Sequence, residues 1–142
     1  MHITKGDFLL SDDKSRLDIE VIHRFLTNSY WAKGISRDIV DKSIQHSLCF
    51  GVYKQSQQVG FARIISDQAT FAYLADVFTL ESARGNGLAK WMVTNIKKHP
   101  DLQGLRRWLL ATSDAHSLYA QYGNFTPIAD PSIWMEIRTP YE

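Results

Sequence analysis

The segment Arg84-Gly85-Asn86-Gly87-Leu88-Ala89 carries the densest chemical information in the chain. It follows an apolar run, Phe71 to Leu80, and opens a stretch whose Leu88, Trp91, Met92 and Ile96 share one helical face. A glycine-rich turn between a strand and a helix lets backbone N–H groups converge on one point. The helix start adds unpaired donors and a partial positive charge. Such a concavity suits a phosphate. Glycine at 85 and 87 leaves room for close approach, and Arg84 adds a charged contact. The dinucleotide fingerprint is excluded: Lys90 stands where its third glycine belongs, and no acid lies at Gly104, Leu105 or Arg106 to bind a ribose. A Walker A Gly-Lys-Ser/Thr is absent. The alternative is a plain strand-to-helix turn.

Arg84-x-x-Gly87-x-Ala89 matches the Arg/Gln-x-x-Gly-x-Gly/Ala signature, and the chain resembles the GNAT superfamily of N-acetyltransferases. Ala115-His116-Ser117-Leu118-Tyr119 is similar to the family's Ala-x-x-Phe/Leu-Tyr helix, in the right order and separation. The resemblance implies acetyl-CoA as co-substrate, its pyrophosphate bound by Arg84, Gly85, Asn86, Gly87, Leu88, Ala89 and Lys90. It implies a bulge in the family's fourth strand and a slot between the strand ending at Thr79 and the one beginning near Arg107. There Val77, Phe78 and Thr79 match the positions that pair with pantetheine as an added strand. Tyr119 matches the family's general acid, which returns a proton to the departing thiolate. Tyr30 and Trp31 fall in the segment that lines the acceptor pocket. Thr112 stands where the family often carries a cofactor-contacting asparagine, with Asp114 a partial replacement. The usual Gly-Phe after the tyrosine is expanded to Gly123-Asn124-Phe125. The activity implied is transfer of an acetyl group to a primary amine of a small molecule or peptide. The alternative is a non-catalytic acyl-CoA-binding or regulatory protein of the same fold. A homodimer is compatible with the resemblance.

Asp76 is the one acid inside the Phe71–Leu80 run. A lone carboxylate there has three readings: a base acting through water, a site for the substrate ammonium, or a hydrogen-bonded structural group. His116 lies three residues before Tyr119 and is a second candidate base. Tyr122 shares the facing of Tyr119 without its motif match and is expected in the core. His2, His23, His46 and His99 show no metal-ligand spacing, so no metal is expected. Cys49 is the one cysteine and can form no internal disulfide.

These residues need elements to position them. The periodicity predicts a short strand near Phe8–Leu10, a helix from Asp18 to Tyr30, and a second helix capped by Ser36 with Ile39, Val40 and Ile44 on one stripe. Leu48–Tyr53 and Val59–Ile65 read as a hairpin around Gln55–Gln58. Phe71–Leu80 reads as a strand covered on both faces. A helix spans Gly87 to about His99, stopped by Pro100. A strand from Arg107 to about Thr112 follows, then a short helix capped by Asp114 and a last strand over Ile133–Ile137. The result is an α/β fold: a mixed, mostly antiparallel central sheet flanked by helices, with one right-handed β-α-β crossover.

The composition bounds the rest. The chain has 142 residues, 16 Lys plus Arg against 15 Asp plus Glu, and a formal net charge of +1. One domain over residues 1–142 is expected. The near-balance argues against a dominantly electrostatic nucleic-acid partner. No apolar segment reaches the roughly 18 residues of a membrane span, and the first residues lack the apolar stretch of a signal peptide. A cytoplasmic protein is expected.

Overall fold

The computed structural model describes residues 1–141. Six strands form one sheet in sequence order: β1 (His2–Lys5), β2 (Phe8–Ser11), β3 (Leu48–Lys54), β4 (Gln57–Ser66), β5 (Phe71–Thr79) and β6 (Arg107–Leu109). All neighbours are antiparallel except β5 and β6, which the crossover makes parallel. Four helices flank the sheet: α1 (Ile19–Thr27), α2 (Arg37–Gln45), α3 (Leu88–Ile96) and α4 (His116–Gly123). The expected fold class is the observed one.

The sheet divides the apolar side chains into two cores. On one face Leu10, Phe50, Val52, Ile64 and Leu74 pack with Met92, Val93 and Ile96 of α3. On the other, Cys49, Phe61 and Phe78 pack with Ile22 and Leu26 of α1 and Val40 and Ile44 of α2. Burial pushes the Cys49 thiol up to about 11, so it behaves as a small hydrophobe. The starts of α1 and α2 are held by side-chain caps. The Asp18 carboxylate accepts from Val21 N–H at 3.3 Å and the Ser36 hydroxyl from Ile39 N–H at 3.3 Å.

Several boundaries differ from the sequence reading. The first helix ends at Thr27 instead of Tyr30. Ser29 causes this: its hydroxyl donates to Leu26 O at 2.7 Å and accepts from Ala32 N–H at 3.1 Å, replacing the next helical turn. Tyr30 and Trp31 are thereby carried off the helix. β1, too polar to be recognised in the sequence, pairs along its whole length with β2. The expected strand at Ile133–Ile137 is absent. Pro131–Ile133 is a single 3-10 turn and the described chain after it has no regular structure, with Met135 96% and Ile137 100% exposed. The preceding strand ends at Leu109 instead of Thr112, because β5 has moved away by then and offers no ladder.

The expected continuous burial of β5 has a specific cause. Ala72 and Leu74 face the α3 core, and so does Val77, whereas Phe78 faces the α1/α2 core. Residues two apart normally share a face, so one extra residue has been inserted. The β4–β5 register shows it: Phe61 pairs with Phe78 and Arg63 with Ala75, so Asp76 and Val77 oppose the single Ala62. Asp76 takes the strain, with φ +55°.

Phe61 is fully buried beside Phe78 at the pivot of this bulge, their ring centroids 5.8 Å apart. Phe61→Ala is expected to destabilise the protein by about 3–5 kcal/mol, read as a lower urea midpoint at unchanged m-value.

Candidate functional site

The bulge opens a wedge. β5 and β6 pair only from Phe71–Tyr73 to Arg107–Leu109. Beyond Tyr73 the two segments part, so the β6-facing edge of Leu74–Thr79 has no partner strand. The gap is a cleft of about 840 Å³. One wall is Ala75–Thr79 and the other is Leu110–Ala115. Phe25, Tyr30 and Trp31 close one end, while Arg84 and Ala89 reach it from the loop.

The loop leaves its backbone donors open. Gly85 has φ +85° and Gly87 φ +69°, the left-handed region that glycine enters without strain. Asn86 ties the turn down by donating its amide to Ala83 O at 2.8 Å. Gly87 caps α3 with its carbonyl, which accepts from Trp91 N–H at 3.1 Å, and offers no side chain to its own helix start. The backbone N–H groups of Gly85 to Lys90 consequently find no acceptor among the described residues. Six unpaired amides thus lie in the turn and first helical residues, and unpaired donors at a helix N-terminus stabilise bound negative charge. Arg84 and Lys90 are exposed beside them. Lys5, on β1, donates its ammonium to Asn86 O at 3.3 Å and adds a third cation. Sequence gave no signal for Lys5, which lies 81 positions away. Leu88 contributes only its backbone, since its side chain is 2% exposed in the α3 core.

Tyr119 lines the cleft from α4. Its ring meets Phe125 edge-on at 6.0 Å. Its hydroxyl makes no hydrogen bond among the described residues, and burial pushes the phenol up to about 12. It is a protonated, uncommitted donor across ordinary pH. The expanded Gly123-Asn124-Phe125 turn has a simple account. Asn124 adopts φ +61° and ends α4, letting Phe125 N–H donate back to Tyr119 O at 3.2 Å. Tyr122, expected in the core, instead lies at the surface with the Lys90 ammonium 5.4 Å from its ring centre. The helix start expected at Asp114 is held by Thr112, whose hydroxyl accepts from Ala115 N–H at 3.1 Å. Thr112 and Asp114 both still line the cleft. His116 is exposed and outside it.

Asp76 is not free. Its Oδ2 accepts from Arg63 Nε at 2.8 Å and its Oδ1 from the Trp31 indole N–H at 2.9 Å. Of the three readings open to it, this geometry matches the hydrogen-bonded structural group. Arg63 was missed in the sequence, although it is the one charge in the Val59–Ile65 run. No group of three or more possible metal ligands occurs among the described residues.

A mixed sheet, split at a bulge beside a loop of unpaired amides, defines a GNAT-type fold. Residues 17–123 match the Acetyltransferase (GNAT) family, and the chain belongs to that family. A candidate acetyltransferase of the same family from Xanthomonas campestris pv. campestris has a solved structure similar to this one, with TM-score 0.90, 54% identity and 94% of each chain covered. A candidate acetyltransferase from Gibberella zeae is 31% identical over 83% of this chain and 78% of its own. A candidate acetyltransferase of Clostridium acetobutylicum, solved with acetyl-CoA, shares the fold at TM-score 0.64 and 19% identity, covering 92% of this chain and 94% of that one.

Proposed function

We propose that this protein transfers the acetyl group of acetyl-CoA to a primary amine. The observation that carries the reading is the set of unpaired amides at Gly85–Lys90 beside a wedge that an uncommitted phenol also lines. A diphosphate is the ligand that such a loop suits, with Arg84, Lys90 and Lys5 to balance its charge. The cleft leads from there along the partnerless edge of Val77, Phe78 and Thr79. An amide-bearing arm lies there as an added strand. The fold's relatives that hold acetyl-CoA support the same choice.

The chemistry needs few groups. The amine enters as its free base and its nitrogen attacks the thioester carbonyl carbon. The new C–N bond forms, the C–S bond breaks, and the sulfur leaves with the electron pair. Tyr119 donates its phenolic proton to that sulfur and recovers one from water. The amine's surplus proton leaves to solvent through the open cleft. Holding the two reactants together supplies most of the acceleration, and a strand N–H at the bulge edge stabilises negative charge gathering on the carbonyl oxygen. The acceptor is a small molecule or a peptide amine, for the near-zero net charge offers no field for a polyanion.

A panel of 2-phenylethylamine, ethanolamine, putrescine and an N-terminal peptide, incubated with acetyl-CoA, is expected to release free thiol with at least one member. Coenzyme A binding without thiol release from any amine would favour the non-catalytic reading. Gly87→Val places a branched side chain at φ +69°, where even a Cβ would lie 2.7 Å from Lys90 Cε. Coenzyme A affinity by calorimetry is expected to fall at least roughly tenfold as the amide cradle distorts. Tyr119→Phe is expected to lower kcat by about 10²-fold or more with the KM for acetyl-CoA little changed. In the wild-type enzyme no alkaline limb from Tyr119 is expected below pH 10, since the folded phenol titrates near 12. The sign for stability agrees. The neutral phenol's contribution is full below the unfolded value of ~10 and is lost as pH rises through the folded value of about 12.

A further inference from the structure

We propose that Asp76 is a positioning residue that locks the Trp31 indole across the wedge, and that the Trp31–Tyr30 pair is the platform for an acceptor amine with an apolar or aromatic body. This rests on the acetyl-transfer reading and names the acceptor class of the same site.

The anchoring runs through four residues from four elements. Ser47, just after α2, donates to Ser43 O at 2.6 Å and accepts from an Arg63 Nη at 3.2 Å. Arg63 on β4 donates to Asp76 at the bulge, and Asp76 accepts from Trp31 between α1 and α2. The Asp76 and Arg63 side chains are only 9% and 17% exposed, so the bonds are sheltered from competing water. A carboxylate that accepts one donor from this chain on each oxygen is held in a fixed orientation. It has the geometry to orient an indole.

The indole is packed as well as tethered. Trp31 meets Tyr30 edge-on at 5.1 Å and Phe25 at 6.1 Å, and Phe25 stacks on Phe78 at 4.0 Å. Tyr30 is 63% exposed, yet its hydroxyl accepts from Ser113 Oγ at 2.9 Å on the opposite wall. The aromatic pair therefore spans the wedge, pinned to β5 at one end and to the segment after β6 at the other. A second cavity of about 420 Å³ adjoins the same pair, lined also by Val21, Phe25 and Leu80 and, at its polar side, by Arg24, Asn28 and Ser29. Its walls are chiefly apolar. An acceptor that buries a hydrocarbon or aromatic body there gains more than one that must strip water from a polar chain.

The test separates this proposal from the reading beneath it. In ¹⁵N–¹H spectra the Trp31 indole N–H of the coenzyme A-loaded protein is expected to exchange slowly in the wild type and rapidly in Asp76→Ala. With Asp76→Asn, which keeps an acceptor oxygen, exchange stays slow. In the same protein 2-phenylethylamine is expected to shift that resonance at a concentration roughly tenfold below ethanolamine. Neither readout needs turnover, so they stand even if no amine is acetylated. Where turnover is seen, Trp31→Phe and Asp76→Ala are expected to raise the KM for 2-phenylethylamine roughly tenfold with kcat within about threefold. Asp76→Asn is expected to restore most of the KM. Equal indole exchange in the wild type and Asp76→Ala, or a preference for ethanolamine, overturns the proposal. So does a loss of kcat of about 10²-fold in Asp76→Asn together with loss of the acidic limb of the pH–rate profile, which would make Asp76 the base.

Discussion

The one extra residue in β5 is the constraint on which the site depends. A regular strand would carry its ladder to β6 through Thr79 and leave no wedge. The insertion at Asp76 turns the strand over, so that Ala72 and Leu74 face one core and Phe78 the other. A left-handed backbone at a non-glycine residue costs about 1–3 kcal/mol. Aspartate tolerates it better than most side chains, and two hydrogen bonds to its carboxylate offset it. The same carboxylate that settles the bend also fixes Trp31. Shape and side-chain placement are therefore one event.

From that bend the site is continuous with the interior. Phe61, Phe78, Phe25, Trp31 and Tyr30 form an unbroken series of ring contacts from the centre of the α1/α2 core to the open cleft. Close-packed interiors transmit displacement, so the aromatic wall inherits the rigidity of the core. The other end works differently. The Gly85–Lys90 loop is held by few side chains, and its binding capacity lies in backbone groups the fold leaves unpaired. One end presents packed rings and the other unpaired backbone dipoles.

Those two modes differ in how legible they were. The loop could be read because a backbone site has a local signature: two glycines at a strand-to-helix junction, an arginine before them and a good helix after. Tyr119 could be read because it sits at a set distance from that loop along the chain. Asp76 drew notice as a charge in an apolar run, but its three readings could not be separated without its partners. Arg63 and Trp31 lie 13 and 45 positions away. Lys5 had no local signature at all. The misplaced final strand failed for a related reason. Ile133–Ile137 has the composition of a strand, but a strand also needs an edge to join, and β6 is too short to offer one.

What the residues alone determined is what short-range physics governs. Helical stripes, the caps at Asp18 and Ser36, a hairpin turn in the polar segment after β3 (tighter than expected, at residues 55–56) and the left-handed glycines of the loop all arise within a few bonds or turns, so neighbouring letters suffice to specify them. Tertiary structure decided the rest: which oxygens of Asp76 are occupied, how far β5 leaves β6, and which side of the wedge the aromatic pair closes. These depend on packing between segments dozens of residues apart. No periodicity within one segment records where another will lie.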